Sequence, residues 1–140
     1  MKTLILLSVL ISFHTFAGWT EKAKSHLPPK VQTLELGKSD RDSARKALGK
    51  PDLVRGDKEY WIIDGFKYAL ELTYKNNKLA TLHYNFSRNG FPVEKLKGEF
   101  DPKLLKASTS SPHTSLMYED KQGKMEVEMA TGKVESVRFQ

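Results

Sequence analysis

The spacing of apolar residues changes along the chain, and each change predicts a different element. Over 19–27, Trp19, Ala23 and Leu27 recur at helical intervals behind Thr20 as a cap, and Pro28-Pro29 stop the segment. An extended link over 31–36 leads to Gly37-Lys38-Ser39, where Ser39 with Asp42 three residues on has the form of a capping box. The helix that follows, over 40–48, should end on Gly49, with Pro51 beyond it. From Glu59 onward the period becomes two, the period of a strand with one buried face.

Turn residues then set the pairing. Asp64-Gly65 is a strong signal for a two-residue hairpin loop, which would place Ile63 opposite Phe66 and Trp61 opposite Tyr68. At Lys75-Asn76-Asn77, a two-residue loop would put Leu70 opposite His83 and Glu71 opposite Leu82, mixing apolar and polar groups on both faces. A three-residue loop with Asn77 left-handed instead pairs Leu72 with Ala80, Leu70 with Leu82, Tyr68 with Tyr84 and Phe66 with Phe86. One face becomes wholly apolar, so this register is the one expected.

Near the C-terminus a loop at Gln122-Gly123 would pair Tyr118 with Val127. A loop at 130–132, with Gly132 left-handed, would pair Met125 with Val137. Residues 67–73 and 78–84 echo 124–130 and 133–139, as in a repeated three-stranded meander. Between the two meanders, Val93, Leu96, Phe100, Leu104 and Leu105 suit short helices before and after Asp101-Pro102, and 108–112 reads as a loop. The expected fold is α+β: short helices packed on one face of an antiparallel meander sheet, in two tandem helix-plus-three-strand units. Its core should contain Trp61, Tyr68, Leu70, Leu82, Tyr84, Val127 and Phe139. The units fall at about 31–87 and 92–140, within a single domain over 18–140.

Composition adds a compartment. Lys2, an apolar run over 4–11 and the small residues around Ala17 have the layout of a secretory signal peptide over 1–17, cleaved near Ala17. The apolar run is too short to cross a bilayer, so no transmembrane segment is expected after cleavage, and the protein should be periplasmic or secreted. The chain has no cysteine, which removes disulfides, thiol catalysis and lipid attachment through cysteine. Its formal net charge of +6 is spread over interleaved Lys and Glu, as on solvated faces, and export makes nucleic acid an unsuitable partner.

Little in the sequence points to catalysis. His26, His83 and His113 are scattered without metal-ligand spacing, the serines of 108–111 lack a nucleophile elbow, and no glycine-rich phosphate loop occurs. No catalytic residue, metal or cofactor is expected. Glu71, Glu119, Glu126 and Glu128 should gather on the outer face of the sheet, away from the helices, with Lys67, Lys124 and Arg138 beside them as cross-strand partners. A carboxylate-dependent hydrolase is the third reading this supports. The same face should carry Tyr60, Ile62, Ala69, Thr81, His83, Met117, Val134, Ser136 and Arg138, a mixture suited to holding another protein. Partner-binding residues are therefore Tyr60, Ile62, Glu71, Thr81, His83, Glu126, Ser136 and Arg138. The alternative is an anionic envelope component, a lipid head group or cell-wall polymer, held by Lys95, Lys97, Lys103 and Lys106 around the middle helices.

One stretch resembles a known family. Leu36-Gly37-Lys38-Ser39, Asp42, Ala44 and Leu48-Gly49-Lys50-Pro51-Asp52-Leu53, followed by Tyr60-Trp61 and the hairpin over 70–86, resemble the BamE/SmpA family of small outer-membrane assembly proteins. Lys38 stands where that family usually has Met, Ala44 where a larger apolar residue is common, and the lipidated cysteine is absent. The repeated layout is also similar to β-lactamase-inhibitor proteins, which double a helix-plus-meander unit and bind a partner on the exposed sheet. Both resemblances imply a non-enzymatic module, an assembly factor or an enzyme inhibitor, whose partner is another exported or envelope protein.

Overall fold

The computed structural model describes residues 18–140; the leader expected over 1–17 lies outside the described residues. Three short helices come first: α1 (Trp19–Lys24), α2 (Pro29–Gln32) and α3 (Arg41–Leu48). The strands β1 (Leu53–Arg55), β2 (Lys58–Ile63), β3 (Phe66–Lys75) and β4 (Lys78–Asn85) follow. Then come β5 (Phe91–Pro92), β6 (Lys106–Ala107), β7 (Ser115–Glu119), β8 (Gly123–Glu128) and β9 (Lys133–Phe139). Single 3-10 turns, Val93–Leu96 and Pro102–Leu104, lie before and after Asp101, where short helices were expected. All described strands join one antiparallel sheet in the order β1-β2-β3-β4-β9-β8-β7-β6, with β5 pairing β9 beside this path. The fold is α+β. Among the described residues no helix is long and apolar enough to cross a membrane.

Local chemistry explains the helices and corrects some of their bounds. Thr20 is not the cap of α1: Gly18 precedes the helix, and the Thr20 hydroxyl donates to Gln122 Oε1 at 3.2 Å. α1 stops at Lys24, before the prolines, and Pro28 and Pro29 begin the next helix, because proline's fixed φ suits a first turn, so 31–36 is not wholly extended and Val31 is buried within α2. The capping box sits one residue beyond its expected place. Asp40 accepts from Ser43 N at 2.8 Å and Ser43 Oγ accepts from Asp40 N at 2.9 Å, while Ser39 Oγ accepts from Glu35 N. The bond from the Ser43 backbone N–H holds the Asp40 carboxyl below its ordinary range. Gly49, at φ 83°, closes α3 as expected.

The sheet keeps most of the expected faces through a register that differs in four places. Asp64-Gly65 forms its two-residue loop and Ile63 meets Phe66, but Trp61 pairs with Leu70 rather than Tyr68. Lys67, Tyr68 and Ala69 together oppose Ile62, so β3 bulges, and Tyr68 takes φ 59° at the bend. Tyr68, expected in the core, is therefore 50 % exposed, whereas Ala69, expected outside, is buried. At the next turn Asn76 and Asn77 both have positive φ and form the two-residue loop, which pairs Lys75 with Lys78. Ala80 is then an extra residue in β4, and the pairs become Leu72–Leu82 and Leu70–Tyr84. In the second half Tyr118 pairs with Met125, not Val127, while Met125–Val137 stands as expected. Glu135 is the extra residue of β9, and inserting it turns Val134 from the outer face into the core.

Helices and middle turns cover one face, where Leu70, Leu72, Leu82, Met125, Val127, Val137 and Phe139 join Trp19, Ala23, Leu27, Val31 and Ala44 in one core. Two tryptophans fasten the helices to it. Trp61 donates from Nε1 to the Gly49 carbonyl at the end of α3. Trp19 lies edge-on to Tyr118 and donates to Asp120 Oδ2 at 2.9 Å. Burial pushes the Asp120 carboxyl up, but hydrogen bonds from Trp19, the Gln122 N–H, the Tyr118 hydroxyl and the Gly123 N–H outweigh it and hold the group below its usual range.

Candidate functional site

Because β4 and β9 form the central seam, the meanders present their polar sides as one surface. A single cross-strand row runs Tyr60–Glu71–His83–Arg138–Lys124–Glu119 over β2, β3, β4, β9, β8 and β7. At about 4.8 Å between strands it spans roughly 24 Å. The next row in the second half runs Asn85–Ser136–Glu126–Met117–Lys106, and Thr81 lies to the other side, opposite Thr73. Seven of the eight expected partner-binding residues thus share registered rows. The eighth, Ile62, stands beside them at the β3 bulge, 43 % exposed, its N–H donating to Asp52 Oδ2. Tyr68 adds an unforeseen aromatic group, packed edge-on against Tyr60 at 5.6 Å between ring centroids.

Four of those residues, His83, Glu126, Ser136 and Arg138, line a cavity of about 330 Å³ together with Asn85, Ser110, Lys124 and Glu135. Ser110 brings the loop over 108–111, expected to be a plain linker, to its wall. Ser108, 1 % exposed, and Ser110 both donate to Glu126 Oε1, at 3.0 and 3.1 Å, and Lys124 Nζ lies 3.4 Å from the same oxygen. Ser108 Oγ also receives the N–H groups of Ser110 and Ser111, which curls the loop onto the sheet. Across the cavity, Ser115 donates to Glu135 Oε1 at 2.8 Å. Ser108, Ser110, Asn85 and Glu135 escaped the sequence reading because a two-residue alternation does not reveal a bulge, nor which way a serine-rich loop folds.

Charge in this surface is uneven. Glu71 pairs with Lys58 at 3.3 Å and Lys124 with Glu126, but Arg138 takes part in no ion pair among the described residues. It stands directly opposite Lys124 on one side and His83 on the other. Burial, and after it the charge of Arg138, push the His83 imidazole below its ordinary value, so it is neutral at pH 7. Close by, Gly123 has no room for a side chain: a Cβ there would collide with the Arg138 carbonyl, so glycine lets the strands approach.

The carboxylates do gather outside, yet Glu71 and Glu126 are engaged by lysines, which is the arrangement of cross-strand pairs. Among the described residues no three His, Asp or Glu side chains converge as they would on a metal ion. The four lysines of the alternative site come from two turns and a strand. Lys95 belongs to the turn Val93–Leu96, Lys97 follows it and receives Lys22 on its carbonyl, Lys103 sits in the turn Pro102–Leu104, and Lys106 lies on β6 opposite Met117. None of them lines the cavity.

No family model matches the chain. No curated protein matches it in sequence. Among solved structures it is similar to the crystal structure of YjgB, a DUF4309 family protein from Bacillus subtilis, at 15 % identity. That likeness covers 87 % of this chain and 91 % of YjgB, with a TM-score of 0.51. Identity at this level speaks for the fold alone, helices over one antiparallel sheet.

Proposed function

We propose that this chain is an exported, non-enzymatic module that binds another envelope protein through the outer face of its sheet, as an assembly factor or an enzyme inhibitor. The observation that carries this reading is the unbroken row from Tyr60 to Glu119, left uncovered by the helices and flanked by the exposed groups Ile62 and Tyr68. Aromatic and Arg groups set among polar ones are the composition of interface centres, and a rigid sheet presents them with little entropy to lose on binding. Export rests on the layout of the first 17 residues. We further read the chain as two tandem units, over about 31–87 and 92–140. The strand order supports this, since β2-β3-β4 and β9-β8-β7 run outward from the shared seam in mirrored sequence.

The test replaces Tyr60 and Arg138 together by alanine and measures affinity for a partner isolated from the native envelope. Binding should weaken by about 2 kcal/mol or more while the melting temperature barely moves. Undiminished binding would overturn the reading. If affinity collapsed instead on neutralising Lys95, Lys97, Lys103 and Lys106, and also with added salt, an anionic envelope component would be the ligand.

A further inference from the structure

We propose that the cavity around Arg138 is a carboxylate receptor, which seats an aspartate or glutamate side chain of the partner protein between His83 and Lys124. This rests on the protein-binding reading and names the group that the face recognises. Three observations converge on it.

First, Arg138 and Lys124 are directly opposite in the β8–β9 pairing. Like charges placed so repel one another. Lys124 is compensated by Glu126, whereas Arg138 has no ion-pair partner among the described residues. Second, the wall offers polar side chains to one small acceptor group. Asn85 and Ser136 line the cavity beside the guanidinium, whose planar fork fits the two oxygens of a carboxylate. Third, the remaining charges select the charge of the anion. Lys124 and Arg138 bring two positive charges to the lining and Glu126 and Glu135 two negative ones. A singly charged carboxylate is tolerated between those glutamates, while a dianionic phosphate is repelled.

The groups that face His83 are Arg138 from β9, Glu71 from β3, and Glu126 and Lys124 from β8. A carboxylate seated on Arg138 adds negative charge beside the ring and offsets the cation that disfavours its protonation. The His83 titration midpoint must therefore rise on binding.

The experiment uses the full chain lacking residues 1–17 and three probes: N-acetyl-glutamate N-methylamide, the corresponding glutamine compound, and inorganic phosphate. Nuclear magnetic resonance follows the Arg138 Nε–H signal and the His83 titration. The glutamate probe should shift the arginine signal saturably and raise the His83 midpoint, and the glutamine probe should do neither. Arg138→Gln should weaken the glutamate probe about tenfold or more at an unchanged melting temperature. Equal response to both amino-acid probes, binding of phosphate without the glutamate probe, or unaltered binding by Arg138→Gln would each overturn the receptor. Failure of the probes while the partner is still lost on replacing Tyr60 would remove this inference and leave the protein-binding module standing.

Discussion

Replacing Arg41 and Arg45 together by alanine is expected to destabilise the fold by about 3–5 kcal/mol, the cost of leaving a buried charge without a partner. That charge is Glu59, which is 0 % exposed and pairs with Arg41 at 2.9 Å and Arg45 at 2.5 Å, both on α3. Arg41 also lies over the Tyr74 ring, 4.9 Å from its centroid. The Tyr74 hydroxyl is buried without a hydrogen-bond partner among the described residues, and its burial, with Glu59 beside it, pushes its ionisation well above the ordinary value. Since the whole charged cluster is costly to bury, adding Glu59→Leu to the double variant should recover most of the loss. Urea denaturation checks this through the midpoint at constant slope. A triple variant no more stable than the double would show that the destabilisation arises elsewhere.

The second large effect tests the sheet register. Leu70 is fully buried opposite Trp61 and Tyr84, so Leu70→Ala should cost about 2–5 kcal/mol. Tyr68 is only two residues away on the same strand, yet Tyr68→Ala should cost no more than about 0.5 kcal/mol, as for an exposed residue. Alternation without a bulge predicts similar costs for both. Comparable losses would contradict the bulge at Tyr68.

These two residues show how far the sequence carries. Parity survived where pairing did not: the bulge at Tyr68, the two-residue Asn76-Asn77 turn combined with the extra Ala80, and the turn after Glu119, set one residue earlier than expected, each shift the register by two, which changes a residue's partner but not its face. Leu70, Leu82, Tyr84, Val127 and Phe139 were accordingly legible as core, and Glu71, His83 and Arg138 as outer. Reading failed at the bulges themselves. Tyr68 and Val134 swapped sides because one or two inserted residues cannot be located from a period of two, and the energetic reason for them lies in strand neighbours far along the chain. The buried Glu59 was equally invisible. Its partners lie on α3, 14 and 18 residues away, and a lone Glu at the start of a strand reads as solvated.

For the candidate site, the row from Tyr60 to Arg138 was legible because it needs only parity and strand order. The cavity needed the 108–111 loop to fold over the sheet, and the bond from Ser108 to Glu126 that holds it there links residues 18 apart.

Site-specific photocrosslinking tests the outer-face claim most directly. A benzoylphenylalanine placed at Tyr60 on the outer face, at Lys46 on α3 or at Lys97 beside the middle turns is irradiated in the native envelope. Position 60 should yield one adduct of defined mass and the other two none. Adducts from 46 or 97 with none from 60 would contradict the account.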